Sequence, residues 1–310
     1  MPPVEPTLIA FPNPFARYFA ATRPAFLSAA LVAALLGLAT ARHDGVALNP
    51  TLAVITVLFA LLAHAGANVL NDYYDALNGT DAANTERIFP FTGGSRFIQN
   101  GVLTLAQTRN FGFGLMAAVA VAGVWLMAQA TPQLLYVGLA GLLIGWAYSA
   151  PPLSLNGRGL GELCIVLGFG LIPVGADLVQ RGVFSLAPMV AGLSNALLTA
   201  NLLYINQFPD RSADIAAGKL HWVARLPVAQ ARWGYGLIAL GAYGWLSLTV
   251  ALGWLPAAAL LGLLSAPLSI KATHHLWHHA HQPQQLAPAI QLTIQAMLLH
   301  GGLVALALIL

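Results

Sequence analysis

The 310-residue chain is 58% hydrophobic and 7% charged, with a mean hydropathy of +0.74. Soluble domains carry about 25% charged residues, so this composition excludes a soluble globular protein and reads as an integral membrane protein. The formal net charge of +3 reflects where charges sit relative to a bilayer, not a nucleic-acid footprint, and a single cysteine, Cys164, excludes an internal disulfide.

The opening Met1-Pro2-Pro3-Val4-Glu5-Pro6 has no basic region of the kind found in a cleaved signal peptide. Residues 11–24 mix aromatics with Arg17 and Arg23 and read as an interfacial helix, so 1–24 forms an amino-terminal interfacial segment. Nine apolar segments follow, each near the ~20 residues that a bilayer crossing needs. They fall at 25–41, 51–70, 108–129, 132–149, 160–179, 185–206, 230–251, 254–270 and 287–309. Together they predict one all-α transmembrane domain spanning 1–310. Gly/Ala runs at 117–123 and 137–145 favour close helix packing.

With a cytoplasmic amino terminus, Arg17, Arg23, Arg87, Arg96, Arg109, Arg158, Arg211, Lys219, Arg225, Arg232 and Lys271 lie inside. Only Arg42 and Arg181 lie outside, which accounts for all 13 basic residues. The positive-inside rule then orients the chain and puts two long cytoplasmic loops at 76–107 and 207–229. Spans two and six each run into an acidic motif at these loops, a hint of a four-helix unit used twice.

The first motif is Asn68-Val69-Leu70-Asn71-Asp72-Tyr73-Tyr74-Asp75, followed by Gly79-Thr80-Asp81. On a helix Asn68 and Asp72 are four apart, as are Asn71 and Asp75, and Asp72 and Asp75 are three apart, so the side chains converge on one wall. Crowded carboxylates repel unless a cation neutralises them, and hard oxygen ligands suit Mg²⁺. For a single Asp, a solvated turn at the membrane edge would serve as well. The second motif, Asn206-Gln207-Phe208-Pro209-Asp210-Arg211-Ser212-Ala213-Asp214, spaces two Asp by four. Pro209 suits the first turn of a new helix, which Gly218 ends. Two acidic edges on one membrane surface form a clamp for a Mg²⁺-bound diphosphate.

These motifs, with Thr92-Gly93-Gly94-Ser95-Arg96 and Tyr148-Ser149-Ala150-Pro151-Pro152, resemble the UbiA superfamily of intramembrane prenyltransferases. The nearest branch prenylates 1,4-dihydroxy-2-naphthoate in menaquinone synthesis. The resemblance runs from about Arg23 to His300. It implies nine transmembrane helices around a central cavity, Mg²⁺, a polyprenyl diphosphate donor and an aromatic acceptor, while the positive-inside orientation puts both acidic motifs on the cytoplasmic face of the membrane. Ionising an allylic diphosphate leaves charge on the departing pyrophosphate that cations must stabilise. Asn68, Asp72 and Asp75 are assigned to one metal–diphosphate clamp and Asp210 and Asp214 to the other, with Asn71 and Asn206 as polar supporters. Asp81 is expected to hold a nearby Arg or Lys or to order its loop. Arg96, in its glycine turn, suits a diphosphate ligand, with Lys219 and Arg23 as further candidates; for each, topology alone is the alternative. Tyr148 stands to flank the cation or acceptor, or else serves as a belt residue.

Other polar residues have plainer readings. Arg158 and Glu162, four apart, read as a structural pair. His64 lies one turn before Asn68 and is either functional or bonded to a carbonyl. Asp177 is expected to face water at the outer end of its span, and His300 to be a packed, hydrogen-bonded histidine. The run His274-His275-Leu276-Trp277-His278-His279-Ala280-His281 holds five His in eight residues, which can ligate transition metals, but it lacks acidic or Cys partners; a metal site and an interfacial, pH-sensitive loop are the alternatives, and the loop is the plainer one. Two stretches depart from the family pattern: Leu153-Ser154-Leu155-Asn156-Gly157 lacks basic or aromatic residues, and Ala287-Pro288 stands where Asn-Pro is usual. The rival readings are a terpene cyclase of the same superfamily and a non-catalytic transporter or lipid-binding protein. Besides the donor and acceptor, the expected partner is membrane lipid, and nucleic acid is not expected.

Overall fold

A computed structural model describes residues 4–310, and the first three residues of the expected amino-terminal segment lie outside them. Among the described residues the secondary structure is helical with no strand. The α-helices are α1 Pro14–Ala21, α2 Pro24–His43, α3 Pro50–Leu77, α4 Thr80–Ala83, α5 Leu105–Gln129 and α6 Leu134–Ser149. They continue as α7 Gly161–Arg181, α8 Ala187–Ala216, α9 Trp222–Arg225, α10 Val228–Ala251, α11 Ala266–His279 and α12 Ala287–Ile309.

Starts follow local chemistry. Asn13, Asn49 and Thr104 cap α1, α3 and α5 by accepting from the backbone N–H groups of Phe15, Leu52 and Gln107. Pro occupies the first turn of α1, α2, α3, α8, α11 and α12, where its missing N–H costs nothing. Length then places the motifs. With 28 and 30 residues, α3 and α8 are about 42 and 45 Å long, longer than a hydrocarbon core of about 30 Å. Their last turns carry the acidic residues past the apolar part.

Among the described residues seven helices, α2, α3, α5, α7, α8, α10 and α12, are long and apolar enough to cross a membrane. The other two expected spans differ. α6 has only 16 residues, and 254–270 is broken into a 3₁₀ stretch, Ala257–Ser265, and the start of α11. Pro256 precedes the first piece and Pro267 lies in the first turn of the second, both positions where proline favours the start of a new segment. The motif at Asp210 also differs: Pro209 lies buried inside an unbroken α8 and starts no new helix. The expected 207–229 loop is therefore helix up to Ala216.

One side of the bundle is densely packed. Leu198, Ile205, Phe208, Tyr235, Leu276, Ile290 and Met297 form a buried core across α8, α10, α11 and α12. α2, α7 and α8 meet at Pro173, within α7. A Cβ at Gly37 would strike the Pro173 backbone, and one at Gly192 would lie 2.7 Å from its Cγ. Small residues thus let backbones close up where apolar transfer from lipid gives no driving force.

Buried polar groups staple this side. His300 is fully buried, with Nε2 2.9 Å from Ser194 Oγ and Nδ1 3.2 Å from the Gly262 carbonyl. It is a packed, hydrogen-bonded histidine. Asp177 does not face water: it is fully buried, accepting from Thr40 Oγ1 at 3.0 Å and from both Arg181 Nε and Nη2 at 2.7 and 2.8 Å. Arg181 reaches on to Asp44 at 2.8 Å, so a charge network ties α2 to α7. Arg158 and Glu162 do not pair. Gly159 takes φ 82° between them, so they never share a helix; Arg158 donates to the Pro152 carbonyl and Glu162 accepts from Gln207 Nε2 at 2.7 Å.

Candidate active site

The ends of α3 and α8 face each other across the mouth of a cavity of about 560 Å³. Asn68, Asn71, Asp75, Asp81, Asn206, Asp210, Asp214, Lys219, Arg23 and Tyr148 all line it. Its deeper wall is apolar, with Phe59, Met116, Val119, Leu142, Phe169 and Ile172. Val124 on α5 and Leu135 and Leu139 on α6 line it too, yet are 66%, 42% and 57% exposed on the outer surface. The cavity therefore opens sideways between α5 and α6 as well as at its polar mouth.

Local bonds fix the α3 motif. Asn71 Nδ2 donates to Asp75 Oδ2 at 3.2 Å and to Ser149 Oγ at 3.0 Å, and Asn78 Nδ2 donates to Asp75 Oδ1 at 3.3 Å. Asn68 Nδ2 donates to the Thr22 carbonyl at 3.1 Å, tying α3 to the start of α2. Asp72 is turned differently. Both its oxygens accept from the Ser95 backbone N–H, at 3.2 and 3.3 Å, and it lies outside the cavity lining. That contact needs the glycine turn. Gly94 takes φ 71°, and a Cβ there would sit 3.1 Å from Asp72 Oδ1, so a larger residue is barred by conformation and by space.

The same turn disposes of Arg96. With φ 66°, its guanidinium points away from the cavity: Nη1 donates to the Asp81 carbonyl and Nε lies 3.8 Å from Glu5. Glu5 also pairs with Arg87 at 2.6 Å, so the amino-terminal segment is strapped to the 84–104 loop. The expected bidentate hold on a diphosphate is thus not arranged; Arg96 braces the loop beneath the site. The Asp81 carboxyl accepts from Gln99 Nε2 at 3.3 Å, within the same loop.

Lys219 joins the two halves. Its Nζ lies 2.6 Å from Asp75 Oδ1 and 3.6 Å from Asp214 Oδ1. Burial opposes the ammonium, but Asp75 and Asp214 outweigh it and push Lys219 up to about 12. The 153–157 segment braces this lysine: the Gly157 carbonyl accepts from Leu220 N–H at 2.8 Å, and Asn156 lines the cavity. Arg23 Nη2 donates to the Phe91 carbonyl at 3.1 Å with its guanidinium 4.5 Å from the Phe26 ring. His64 lines the cavity, edge-on to Phe169 at 5.0 Å, and its Nδ1 has no partner in the protein.

Sequence reasoning missed two residues of the site. Asn84, in the turn after α4, donates to Asp210 Oδ1 at 2.6 Å across 126 positions. His221 caps α9: its Nδ1 accepts from Ala224 N–H at 3.2 Å, so Nε2 carries the proton and donates to Asp214 Oδ2 at 3.0 Å. Only the nearness of His221 to the second motif pointed to it, and nothing local pointed to Asn84.

A divalent cation fits these groups. Lys219 already stands where a cation relieves Asp75 and Asp214. The buried oxygens Asn84 Oδ1, Asn206 Oδ1 and Gln207 Oε1 have no donor. Among the described residues no three His, Cys, Asp or Glu side chains converge as a metal cage. Mg²⁺ needs no such cage, since it commonly takes one or two carboxylates plus phosphate oxygens and waters.

Asp81 gives this site a pH signature. Burial, then the charges of Asp75 and Asp72, push its carboxyl up to about 8 from an ordinary 3.8. Between those values the folded protein keeps a proton that the unfolded chain has released, so stability falls as pH rises through that window. Asp81→Asn is expected to flatten the decline. Thermal unfolding in chelator at pH 5, 6.5 and 8 checks it; parallel curves for parent and variant would refute the assignment.

The model of the UbiA prenyltransferase family matches residues 30–295. The chain is 29% identical over 297 residues to 1,4-dihydroxy-2-naphthoate octaprenyltransferase of Mycobacterium tuberculosis, covering 94% of this chain and 96% of the relative. It is 26% identical over 295 residues to 2-carboxy-1,4-naphthoquinone phytyltransferase of Synechocystis sp., covering 93% and 91%. A UbiA homolog from Aeropyrum pernix K1 superposes with a TM-score of 0.68 at 17% identity, over 91% of this chain and 97% of that one. A UbiA homolog from Archaeoglobus fulgidus bound to DMAPP and Mg²⁺ gives 0.62 at 14% identity, over 93% and 99%.

Proposed function

This chain belongs to the UbiA prenyltransferase family, and we propose that it transfers a polyprenyl group from a polyprenyl diphosphate, with Mg²⁺, to an aromatic acceptor of the 1,4-dihydroxy-2-naphthoate class. One observation carries the reading: two acidic helix ends meet across a polar mouth, with Lys219 2.6 and 3.6 Å from carboxylates of each half, above a long apolar cavity. Relatives named for 1,4-dihydroxy-2-naphthoate and a structural neighbour bound to DMAPP and Mg²⁺ support the acceptor class and the metal.

In this proposal Asp75, Asp210 and Asp214, with the amide oxygens of Asn68, Asn84 and Asn206, hold Mg²⁺, which when bound offsets diphosphate charge. Lys219 and Arg23 face the departing pyrophosphate, and Asp72 positions the Gly93–Ser95 turn. His221 fixes Asp214, and Asn84 fixes Asp210. The allylic C–O bond breaks with its electron pair going to the diphosphate. An electron-rich ring carbon of the acceptor then attacks the allylic cation, and the ring releases a proton or its carboxyl group as CO₂. Tyr148 at the cavity wall offers an aromatic face to the cation. The apolar wall keeps water from the cation and holds the tail.

Products formed by purified protein from a panel of polyprenyl diphosphates and hydroxylated aromatics, read by mass spectrometry, test this. Prenylated naphthoate-derived product is expected. Pyrophosphate release with a cyclised hydrocarbon and no need of an acceptor would make it a cyclase, and no release at all would sink the enzymatic reading.

The reading extends to topology: one domain crossing nine times, with α6 and the broken 254–270 stretch as the two short crossings and the site facing the cytoplasm. It rests on the eleven-to-two placement of basic residues. A cysteine introduced at Lys219's neighbour Gly218 should be labelled from the cytoplasmic side only, and one at Gly182 from outside only. Reversed labelling would move the site to the other compartment.

A further inference from the structure

The histidine-rich run is a helix, not the loop its sequence suggests: α11 continues to His279. Helical spacing sorts four of its histidines into two pairs, His274 with His278 and His275 with His279, each with ring centroids 4.5 Å apart. The pairs differ in what their nitrogens do. His275 Nε2 lies 2.7 Å from the Gln285 carbonyl and His279 Nδ1 lies 3.4 Å from Gln282 Oε1, so this pair helps close the turn into α12. In the other pair the two Nε2 atoms face each other at 3.2 Å. Among the described residues neither ring makes a hydrogen bond elsewhere, and both are exposed.

We propose that His274 and His278 form a two-histidine site for a transition-metal ion of the Zn²⁺, Ni²⁺ or Cu²⁺ class on the surface of α11, independent of the proposed prenyl chemistry. The geometry suits it. Ligands about 2.0–2.1 Å from a metal and about 90–110° apart lie about 2.9–3.4 Å from each other, and 3.2 Å falls inside that span. The ligand type suits it too: imidazole nitrogen favours these ions, whereas Mg²⁺ prefers oxygen. Exposure means that water, or a ligand from solution, completes the coordination without desolvating a buried group. The site also has a place in the fold. The turn after α11 sends Gln284 Nε2 to the Glu86 carbonyl at 3.0 Å, beside the turn that carries Asn84. Trp277, between the two histidines, stacks under Arg232 at 3.8 Å and edge-on to Trp233 at 4.5 Å, which places a fluorescent reporter next to the metal.

The test uses full-length, tag-free protein in detergent, with excess Mg²⁺ present to occupy the carboxylates. Equilibrium dialysis against Zn²⁺ or Ni²⁺ is expected to give one saturable equivalent above background. Loss of either ligand removes chelation, so His274→Ala and His278→Ala should each weaken that uptake ~100-fold. His275→Ala should leave it unchanged. Cu²⁺ quenching of tryptophan fluorescence should follow the same order. Thermal unfolding of His274→Ala and His278→Ala, unchanged because those side chains are exposed, guards against misfolding. Equal uptake by parent and the His274→Ala/His278→Ala double variant would overturn the site. So would uptake that depends on His275 instead, or no saturable uptake by the parent, which would leave the 3.2 Å contact a shared proton.

Discussion

Asp210→Asn is expected to lower the turnover number at least ~100-fold, the scale of removing one key electrostatic stabiliser, while leaving the fold intact. The substitution keeps the shape and removes the charge. Asp210 lies on the last turns of α8, lines the cavity, and accepts a 2.6 Å bond from Asn84. An amide there no longer offsets a cation, so rescue by Mg²⁺ should need far higher concentrations. Asp75→Asn should behave alike, since its carboxylate lines the same mouth and bonds Lys219. Asp72→Asn is the contrast. That side chain lies outside the cavity and receives a backbone N–H that an amide oxygen also accepts, so its loss should be smaller. Initial rates across a Mg²⁺ titration decide this. Near-parental turnover of Asp210→Asn, or a larger loss at Asp72 than at Asp75 and Asp210, would displace the proposed centre.

Lys219→Met should be the most damaging single change to the metal-free protein. It leaves Asp75 and Asp214 without their shared cation, and breaking a buried ion pair costs roughly 3–5 kcal/mol. Lys219 is raised to about 12 from 10.5. Its contribution is therefore complete below about 10.5 and fades only as pH rises through 12, so the deficit should be constant between pH 6 and 9. This differs from Asp81, whose effect varies across that interval. Mg²⁺ should then stabilise Lys219→Met more than the parent, because the ion answers the same carboxylates. Activity should fall as well, with the larger effect on donor saturation. Equal Mg²⁺-induced shifts in unfolding temperature for parent and variant would separate the lysine from the metal site.

Much of this arrangement was legible in the residues, because its signals are local. The three- and four-residue spacings of Asn68, Asn71, Asp72 and Asp75 work only on a helix, and α3 is helical throughout. Seven apolar spans could be read from length and composition. Failures arose where a local rule met tertiary packing. Pro209 fits a first helical turn by preference, but it lies buried among close neighbours and α8 runs through it. Pro256 and Pro267 mark segment starts within a span that hydropathy alone kept whole. Arg96 has the right chemistry for phosphate; a left-handed backbone turns it aside, and no sequence pattern announces that angle at an arginine. Arg158 and Glu162 have pairing distance only if one helix holds both. Asn84 and His221 escaped because their partners are fixed by the fold, over a hundred positions away in one case and by a cap in the other.

The sideways opening between α5 and α6 changes what affinity means for this protein. In the proposed reaction a polyprenyl tail would enter past Val124, Leu135 and Leu139 from hydrocarbon into an apolar wall, so the ~0.8 kcal/mol per CH₂ that rewards leaving water would cancel between bilayer and cavity. Discrimination among donors then falls to the head group and to the room available, and lengthening the tail adds little binding. The concentration that governs the rate is a mole fraction in the membrane. Diluting the enzyme with inert lipid or detergent at fixed bulk substrate should slow it, whereas diluting the whole suspension with buffer should leave turnover per enzyme nearly constant.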